Sequence, residues 1–205
     1  IKIRFYNKIF FIPKTVLNAQ IIVREEKEKN NILSIHKALS QPTTYIDIGA
    51  NIGYWTFSRN IALGSKIKFY CFEPSKINFY FLEKNLKKFQ NIKIFNYGLS
   101  DCVEKKILSF PAWENLSKDK NTGLLSLHGN TDINSETVNL ITLDNFIKKN
   151  KIENKIFIKI DTEGYEFNVL NGAKNFLSNN SDIVIQLEVN FKIEDNIKNN
   201  NIKKS

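Results

Sequence analysis

Residues 45–55 read Y-I-D-I-G-A-N-I-G-Y-W, and no other stretch constrains the chain as tightly. Tyr45 to Ile48 forms a short buried strand whose polar alternation ends at Asp47. Gly49, Ala50, Asn51, Ile52 and Gly53 make a turn too rich in small residues for strand or helix. Trp55, Phe57, Ile61 and Leu63 then mark an amphipathic helix, with Gly64 as its C-cap. Strand, glycine turn and helix in this order let a backbone approach an adenosine-bearing ligand closely. The glycines alone fit an ordinary strand-to-helix turn equally well, because short motifs misfire.

A second apolar strand, Ile67-Lys-Phe-Tyr-Cys-Phe, ends in Glu73-Pro74. Glu73 falls about 20 positions beyond Gly53, where a nucleotide-binding βαβ unit carries its ribose carboxylate. Two adjacent ribose hydroxyls match the two oxygens of one carboxylate. The turn departs from G-x-G-x-x-G, so the spacing that cradles a diphosphate is missing. A ligand with ribose and adenine but no pyrophosphate fits better, and S-adenosylmethionine is such a ligand.

Five segments then share one resemblance: DIGANIGYWT (47–56), FEPS (72–75), NYGLSD (96–101), ITLDNF (141–146) and FIKIDTEGYEFNVLNGA (157–173). In this order and spacing the chain resembles the FkbM-type methyltransferases over roughly residues 18–190. The resemblance implies a Rossmann-like class I methyltransferase fold, with a mostly parallel sheet and helices on both faces. It also implies S-adenosylmethionine as cofactor. Sheets of that class normally have seven strands, and this chain reads as stopping after the fifth, so the last two are expected to be missing. The expected cofactor contacts are Asp47, Gly49, Asn51, Gly53, Glu73, Ser100, Asp101 and Asp161.

The chain has 205 residues, enough for one well-packed domain. We expect that domain over residues 1–190, with 1–40 as lead-in and helix and 41–190 as the cofactor-binding α/β core. A polar tail over 191–205 is expected to be disordered. No methionine occurs and the sequence begins at Ile1, which reads as a fragment or a trimmed chain. No apolar run approaches the ~20 residues of a membrane span, and no signal peptide is visible. Cys71 and Cys102 give neither a disulfide framework nor a metal spacing. A reducing cytoplasm is the expected compartment, and no metal ligand set is assigned. The net charge of +9 comes from lysines dispersed along the chain without an aromatic-interleaved stripe. It is a weak pointer to anionic acceptors.

Along the chain, residues 24–39 form a helix candidate in which His36 reads as packed. Pro74 opens a helix with Phe79, Leu82, Leu86 and Phe89 on one stripe. Residues 92–97 form a third strand, and the Ser100-Asp101 turn beyond it is placed to meet the adenine amine or to satisfy itself. Segments 103–110 and 136–141 read as further strands around a polar insertion that carries His128. A short helix at 143–149 precedes the strand 156–160. That strand runs into Asp161-Thr-Glu-Gly164, then one helix through Leu177 and a last buried strand at 183–189.

Methyl transfer from a sulfonium is an in-line displacement, accelerated largely by positioning. A hydroxyl acceptor must also lose a proton, to a carboxylate, a histidine or a metal. Asp161, Glu188 and His128 are the catalytic candidates, with Glu163 close by. Against them stand structural roles: Glu163 capping the next helix, and Glu188 paired with a lysine. The favoured function is O-methylation of a hydroxyl on a sugar, glycan or related small molecule. An RNA 2′-O-methyltransferase and a cofactor-binding scaffold without activity are the alternatives. Nucleic acid is the less favoured partner, because Lys159 on a buried strand matches a catalytic lysine poorly.

Overall fold

A computed structural model describes residues 2–12, 25–109, 135–152 and 155–188. The chain begins with a hairpin, β1 (Lys2–Phe5) and β2 (Lys8–Phe11). Its two-residue turn, Tyr6-Asn7, has positive φ at both positions, the turn that matches strand twist. From sequence alone this stretch reads only as strand and loop. In the fold it is docked: Phe5 and Phe10 are fully buried, and Phe10 meets the Phe57 ring edge-on at 5.0 Å. Asn85 clamps the hairpin, donating to Phe11 O at 2.9 Å and accepting from Phe11 N at 2.6 Å.

The elements that follow are α1 (Glu25–Ala38), β3 (Thr44–Ile48), α2 (Tyr54–Leu63), β4 (Lys68–Phe72), α3 (Lys76–Leu86) and β5 (Ile92–Phe95). Then come β6 (Gly98–Leu99), β7 (Glu104–Ser109), β8 (Ser135–Ile141), α4 (Leu143–Asn150) and β9 (Ile156–Ile160). The described chain ends with α5 (Glu166–Asn171), α6 (Lys174–Ser178) and β10 (Ile183–Leu187). Five strands form a parallel sheet in the order β10-β9-β3-β4-β5. β3 lies at its centre and every residue in it is buried.

Side-chain alternation splits this sheet into two cores. Tyr45, Phe69 and Phe157 face α2, α3 and the hairpin; Ile46, Tyr70 and Ile158 face α4, α5 and α6. Parallel strands covered on both faces are expected to be apolar throughout. Asp47, Cys71 and Lys159 interrupt that pattern in a single cross-strand row, since Asp47 is in register with both of the others.

The further strands read at 103–110 and 136–141 form a second sheet with β6, in the order β6-β8-β7. Two expectations change. The helix expected to run through Leu177 is split into α5 and α6 at Gly172-Ala173, where Gly172 packs on the Ser100 carbonyl and a Cβ would sit 1.9 Å from that oxygen. β10 is an edge strand rather than a buried one, with Leu187 40% exposed. No helix among the described residues is long and apolar enough to cross a membrane. Cys71 is buried, Cys102 is exposed, and both are free thiols.

Candidate functional site

The strand order reverses direction between β3 and β9, because the chain leaves β3 towards β4 and β5 and returns on the other side. Crevices outside the carboxyl ends of strands at such a point bind ligands in open α/β sheets. A cleft with about 690 Å³ of empty space, part of it open to solvent, lies there. Gly49, Asn51, Glu73, Asp161 and Glu163 contribute to its polar wall, and Pro74, Leu99, Leu108 and Tyr165 to its apolar one.

Gly49 has φ 77°, and its amide and that of Ala50 both donate to Phe72 O, at 3.0 and 2.9 Å. A Cβ on Gly49 would lie 1.8 Å from the carbonyl oxygen of Asp161. This residue is therefore small because β9 ends against it, before any ligand is considered. Gly53 serves α3 in the same way, its virtual Cβ lying 2.8 Å from Leu82 Cδ1. Gly49 and Asn51 line the cleft, whereas Gly53 lies outside its lining.

Glu73 follows the end of β4 and is only 5% exposed. Its Oε2 accepts from Asn51 N at 2.8 Å, and its Oε1 accepts from Ser75 N at 3.0 Å. Burial pushes the carboxyl up to about 7, with the two amides, the Asn78 side chain and the Lys159 charge pulling the other way. Each carboxylate oxygen has two lone-pair sites, so the group keeps acceptor capacity beyond these donors. For folding, the sign follows from a folded-state value raised from 4.5 to about 7. This group's contribution is fully present below the unfolded value and is lost as pH rises through about 7.

Asp47 is fully buried behind the cleft wall. Its Oδ2 accepts from Thr56 Oγ1 at 2.7 Å, and its Oδ1 faces Lys159 Nζ at 3.5 Å. Lys159 also lies 2.8 Å from Asp161 Oδ2 and donates to Gly49 O at 3.3 Å. Asp161 N donates to Ile48 O and Glu188 N to Ile160 O, both at 3.0 Å, so the ends of β3, β9 and β10 carry Asp161 and Glu188 side by side. The Asp161 charge, burial and a hydrogen bond to Asp161 raise the Glu188 carboxyl above its usual range. The structure thus brings Asp161, Glu163 and Glu188 to one sheet edge.

Glu163 does not cap α5, and a different carboxylate, Glu166, ties down the loop that precedes that helix. Glu166 Oε1 accepts from Thr162 N at 2.9 Å and from Gly164 N at 3.1 Å. Glu163 instead takes a left-handed φ of 53° and lines the cleft. Burial, followed by the charges of Asp161, Glu188 and Glu166, raises its carboxyl.

Ser100 and Asp101 stand apart from the cleft lining. Ser100 is fully buried and donates to Asp101 Oδ1 at 2.9 Å; exposed Asp101 accepts from Asn168 Nδ2 at 3.3 Å. The two make a self-satisfied turn. His36 is packed as expected, its Nδ1 hydrogen-bonded with Tyr45 Oη at 2.8 Å. His128 lies outside the described residues, as does the insertion that carries it. Among the described residues no three His, Cys, Asp or Glu side chains converge so as to hold a metal ion. Sequence reasoning passes over Thr56 and Tyr165, although both lie inside the quoted segments. Tyr165 is buried and its hydroxyl is hydrogen-bonded with Lys106 of β7.

A family model, described as the methyltransferase FkbM domain, matches residues 47–201. The chain belongs to this family. Its matched region begins at Asp47 and takes in the whole glycine turn, Glu73 and the Lys159–Asp161 strand end. One solved structure that resembles this FkbM chain is the crystal structure of methyltransferase FkbM from Methylobacillus flagellatus KT. It is 19% identical, with a TM-score of 0.47, and the match covers 70% of this chain and 32% of that one. The chain thus spans about a third of the length of that protein. No curated protein matches.

Proposed function

We propose that this protein is an S-adenosylmethionine-dependent methyltransferase acting on a hydroxyl of a sugar, a glycan or a related small molecule. The carrying observation is Glu73, a buried carboxylate at the cleft with two backbone amides on it and acceptor capacity left over. That fits a ribose hydroxyl. Pro74, Leu99 and Leu108 supply apolar surface suited to a nucleobase. Across the cleft, Asp161 is a carboxylate for the ammonium of the cofactor's methionine portion. When bound, the cofactor supplies an electrophilic methyl group on a sulfonium. The chain's part is to align the acceptor and receive its proton, for which Glu188 beside Asp161 is the first candidate. Two free cysteines suit a cytoplasmic setting.

Calorimetry is expected to show S-adenosylmethionine binding and no NAD binding. Micromolar NAD affinity with no heat from S-adenosylmethionine would overturn the reading. A screen with methyl-labelled cofactor against saccharides, small hydroxylated acceptors and RNA then reads the acceptor class. Label entering RNA alone would shift the function to 2′-O-methylation.

Glu73 also predicts a pH dependence. Its ionised form is the stronger acceptor, so cofactor affinity should rise as pH increases through about 7. Glu73→Gln should flatten that profile and lower affinity about tenfold to a hundredfold at pH 8, the scale of a charge-assisted hydrogen bond. A profile that still bends near neutrality in the folded variant would assign the titration to another group.

A further inference from the structure

The two edges of the main sheet carry opposite charge. Glu73, Asp161 and Glu163 line the cleft at the carboxyl ends of the strands, with no lysine or arginine among its described lining. At the amino ends lie two adjoining hollows with about 1150 and 1080 Å³ of empty space, part of it open to solvent. Lys66, Lys68 and Tyr70 line both hollows and join them into one groove. Lys88 and Lys93 extend it on one side and Lys151 and Lys155 on the other, so six lysines line it and no described Asp or Glu does. All six are exposed. They are scattered over residues 66–155 of the sequence, and they meet because β3, β4, β5 and β9 all start at this edge.

The ammonium groups that make close contacts make them with neutral partners. Lys155 Nζ donates to Ser40 O at 3.2 Å, Lys88 Nζ donates to Ile9 O at 3.3 Å, and Lys93 Nζ lies 5.8 Å from the centre of the Tyr70 ring. Among the described residues none of the groove lysines forms an ion pair. Lys88 follows α3 and Lys151 is the C-cap of α4, where a cation complements the helix end. That reason does not reach Lys68, which opens β4, Lys93 within β5, or Lys155 just before β9. Lys93 is in register with Tyr70, two residues on from Lys68, so Lys68 and Lys93 share one face of the sheet. Like charges so placed oppose folding rather than aid it.

We propose that this groove binds a negatively charged polysaccharide, as an anchoring site separate from the cleft. A concave run of ammonium groups matches a linear chain with a charge on successive units. Exposed Thr43, Ser65 and Gln90 lie among the lysines and offer partners to sugar hydroxyls. Single-stranded nucleic acid is served less well. Sites for it add aromatic faces on which bases stack, and the rings here are buried (Phe69, Tyr70) or half-buried (Phe89). The described lining also has no arginine to hold a phosphate with two hydrogen bonds. A lipid surface calls for exposed apolar side chains that enter it, and Ile152 in the groove is buried. Strands of five residues set the groove ~16 Å from the cleft. The carboxylates of the cleft repel a polyanion, so the basic edge is where such a chain is held. The inference goes beyond the reading of the cleft and stands without it.

The test is titration of polygalacturonate and dextran sulfate into the protein, without S-adenosylmethionine, at about 50 and 200 mM salt. Both should bind and uncharged dextran should not, with affinity falling about tenfold or more at the higher salt. Lys68→Gln/Lys93→Gln/Lys155→Gln should weaken binding about tenfold at the lower salt. Lys29→Gln/Lys105→Gln/Lys174→Gln removes the same charge from exposed positions outside the groove and should stay within about twofold of the parent. Equal loss in the two triple variants would overturn the proposal in favour of net charge alone, and binding of neither polymer would overturn it outright. Tighter binding of poly(U), or of phosphatidylserine vesicles, with the same lysine dependence would reassign the groove to nucleic acid or membrane. A second measurement needs no variant. Polygalacturonate should slow acetylation of Lys66, Lys68 and Lys93 relative to Lys29 and Lys174, read by mass spectrometry, and uniform protection would count against the groove. Because no arm uses the cofactor, failure of the methyltransferase reading leaves this test intact.

Discussion

Gly49→Ala is expected to abolish cofactor binding and to destabilise the fold by roughly 3–5 kcal/mol, the upper range for one substitution. Two costs combine. Alanine at φ 77° sits in a backbone region that L side chains rarely adopt, worth about 1–3 kcal/mol. The added Cβ then meets the Asp161 carbonyl, 1.8 Å from its oxygen and 2.9 Å from its carbon. Neither atom is a flexible side-chain tip, so the ends of β3 and β9 must separate. That separation threatens the 3.0 Å bond from Asp161 N to Ile48 O, and with it the cleft wall. Gly64→Ala is the control: φ there is 83°, but nothing lies within 4 Å of its virtual Cβ. It should show the backbone cost alone. Urea unfolding of both variants, with cofactor calorimetry, separates strain from collision. Equal destabilisation by the two would mean that the contact with Asp161 is relieved cheaply.

The contrast between these glycines also marks what the sequence can and cannot disclose. Strand, turn and helix around residues 45–63 are legible because apolar period and glycine punctuation agree. β3 to β5, β9 and β10 are legible for the same reason, and so is Glu73 as a strand-end carboxylate. What Gly49 packs against is not legible, since Asp161 is far away in sequence and meets it only through strand order. The Asp47–Lys159 row is hidden likewise: each residue alone reads as an oddity in an apolar strand, and only parallel register pairs them. β7 and β8 carry ordinary strand patterns, and pattern alone does not say which sheet a strand joins. Closeness to the turn favours Glu163 as the helix cap. In the fold no side chain caps α5: Glu163 adopts a left-handed φ and lines the cleft, while Glu166 holds the amides of the loop before the helix. Ser100 and Asp101 follow β6, a strand of the second sheet, and Gly172 and Asn168 pack over that turn.

Asp161→Asn should weaken S-adenosylmethionine binding roughly a hundredfold while leaving the fold close to the parent's stability. The side chain is 27% exposed, so asparagine meets no full desolvation cost there. Lys159 also retains Asp47 as a partner at 3.5 Å. On the proposed reading, what disappears is a formal charge opposite the cofactor's ammonium. A hydrogen bond to a charged group contributes about 1.5–3 kcal/mol, and the loss of one partner from a desolvated pair lies at the upper end or beyond. The split between binding and turnover then identifies the role. An anchor raises the apparent cofactor constant and leaves turnover at saturation nearly intact. A base lowers turnover by about 10²- to 10⁴-fold at any cofactor concentration. We expect the first pattern, because the Asp161 carboxylate is already committed to Lys159 at 2.8 Å. Glu188, exposed and raised, is the better base. Binding and turnover both within about twofold of the parent would make Asp161 structural, since a tenfold change corresponds to ~1.4 kcal/mol. The acid–base work would then pass to Glu188 or His128.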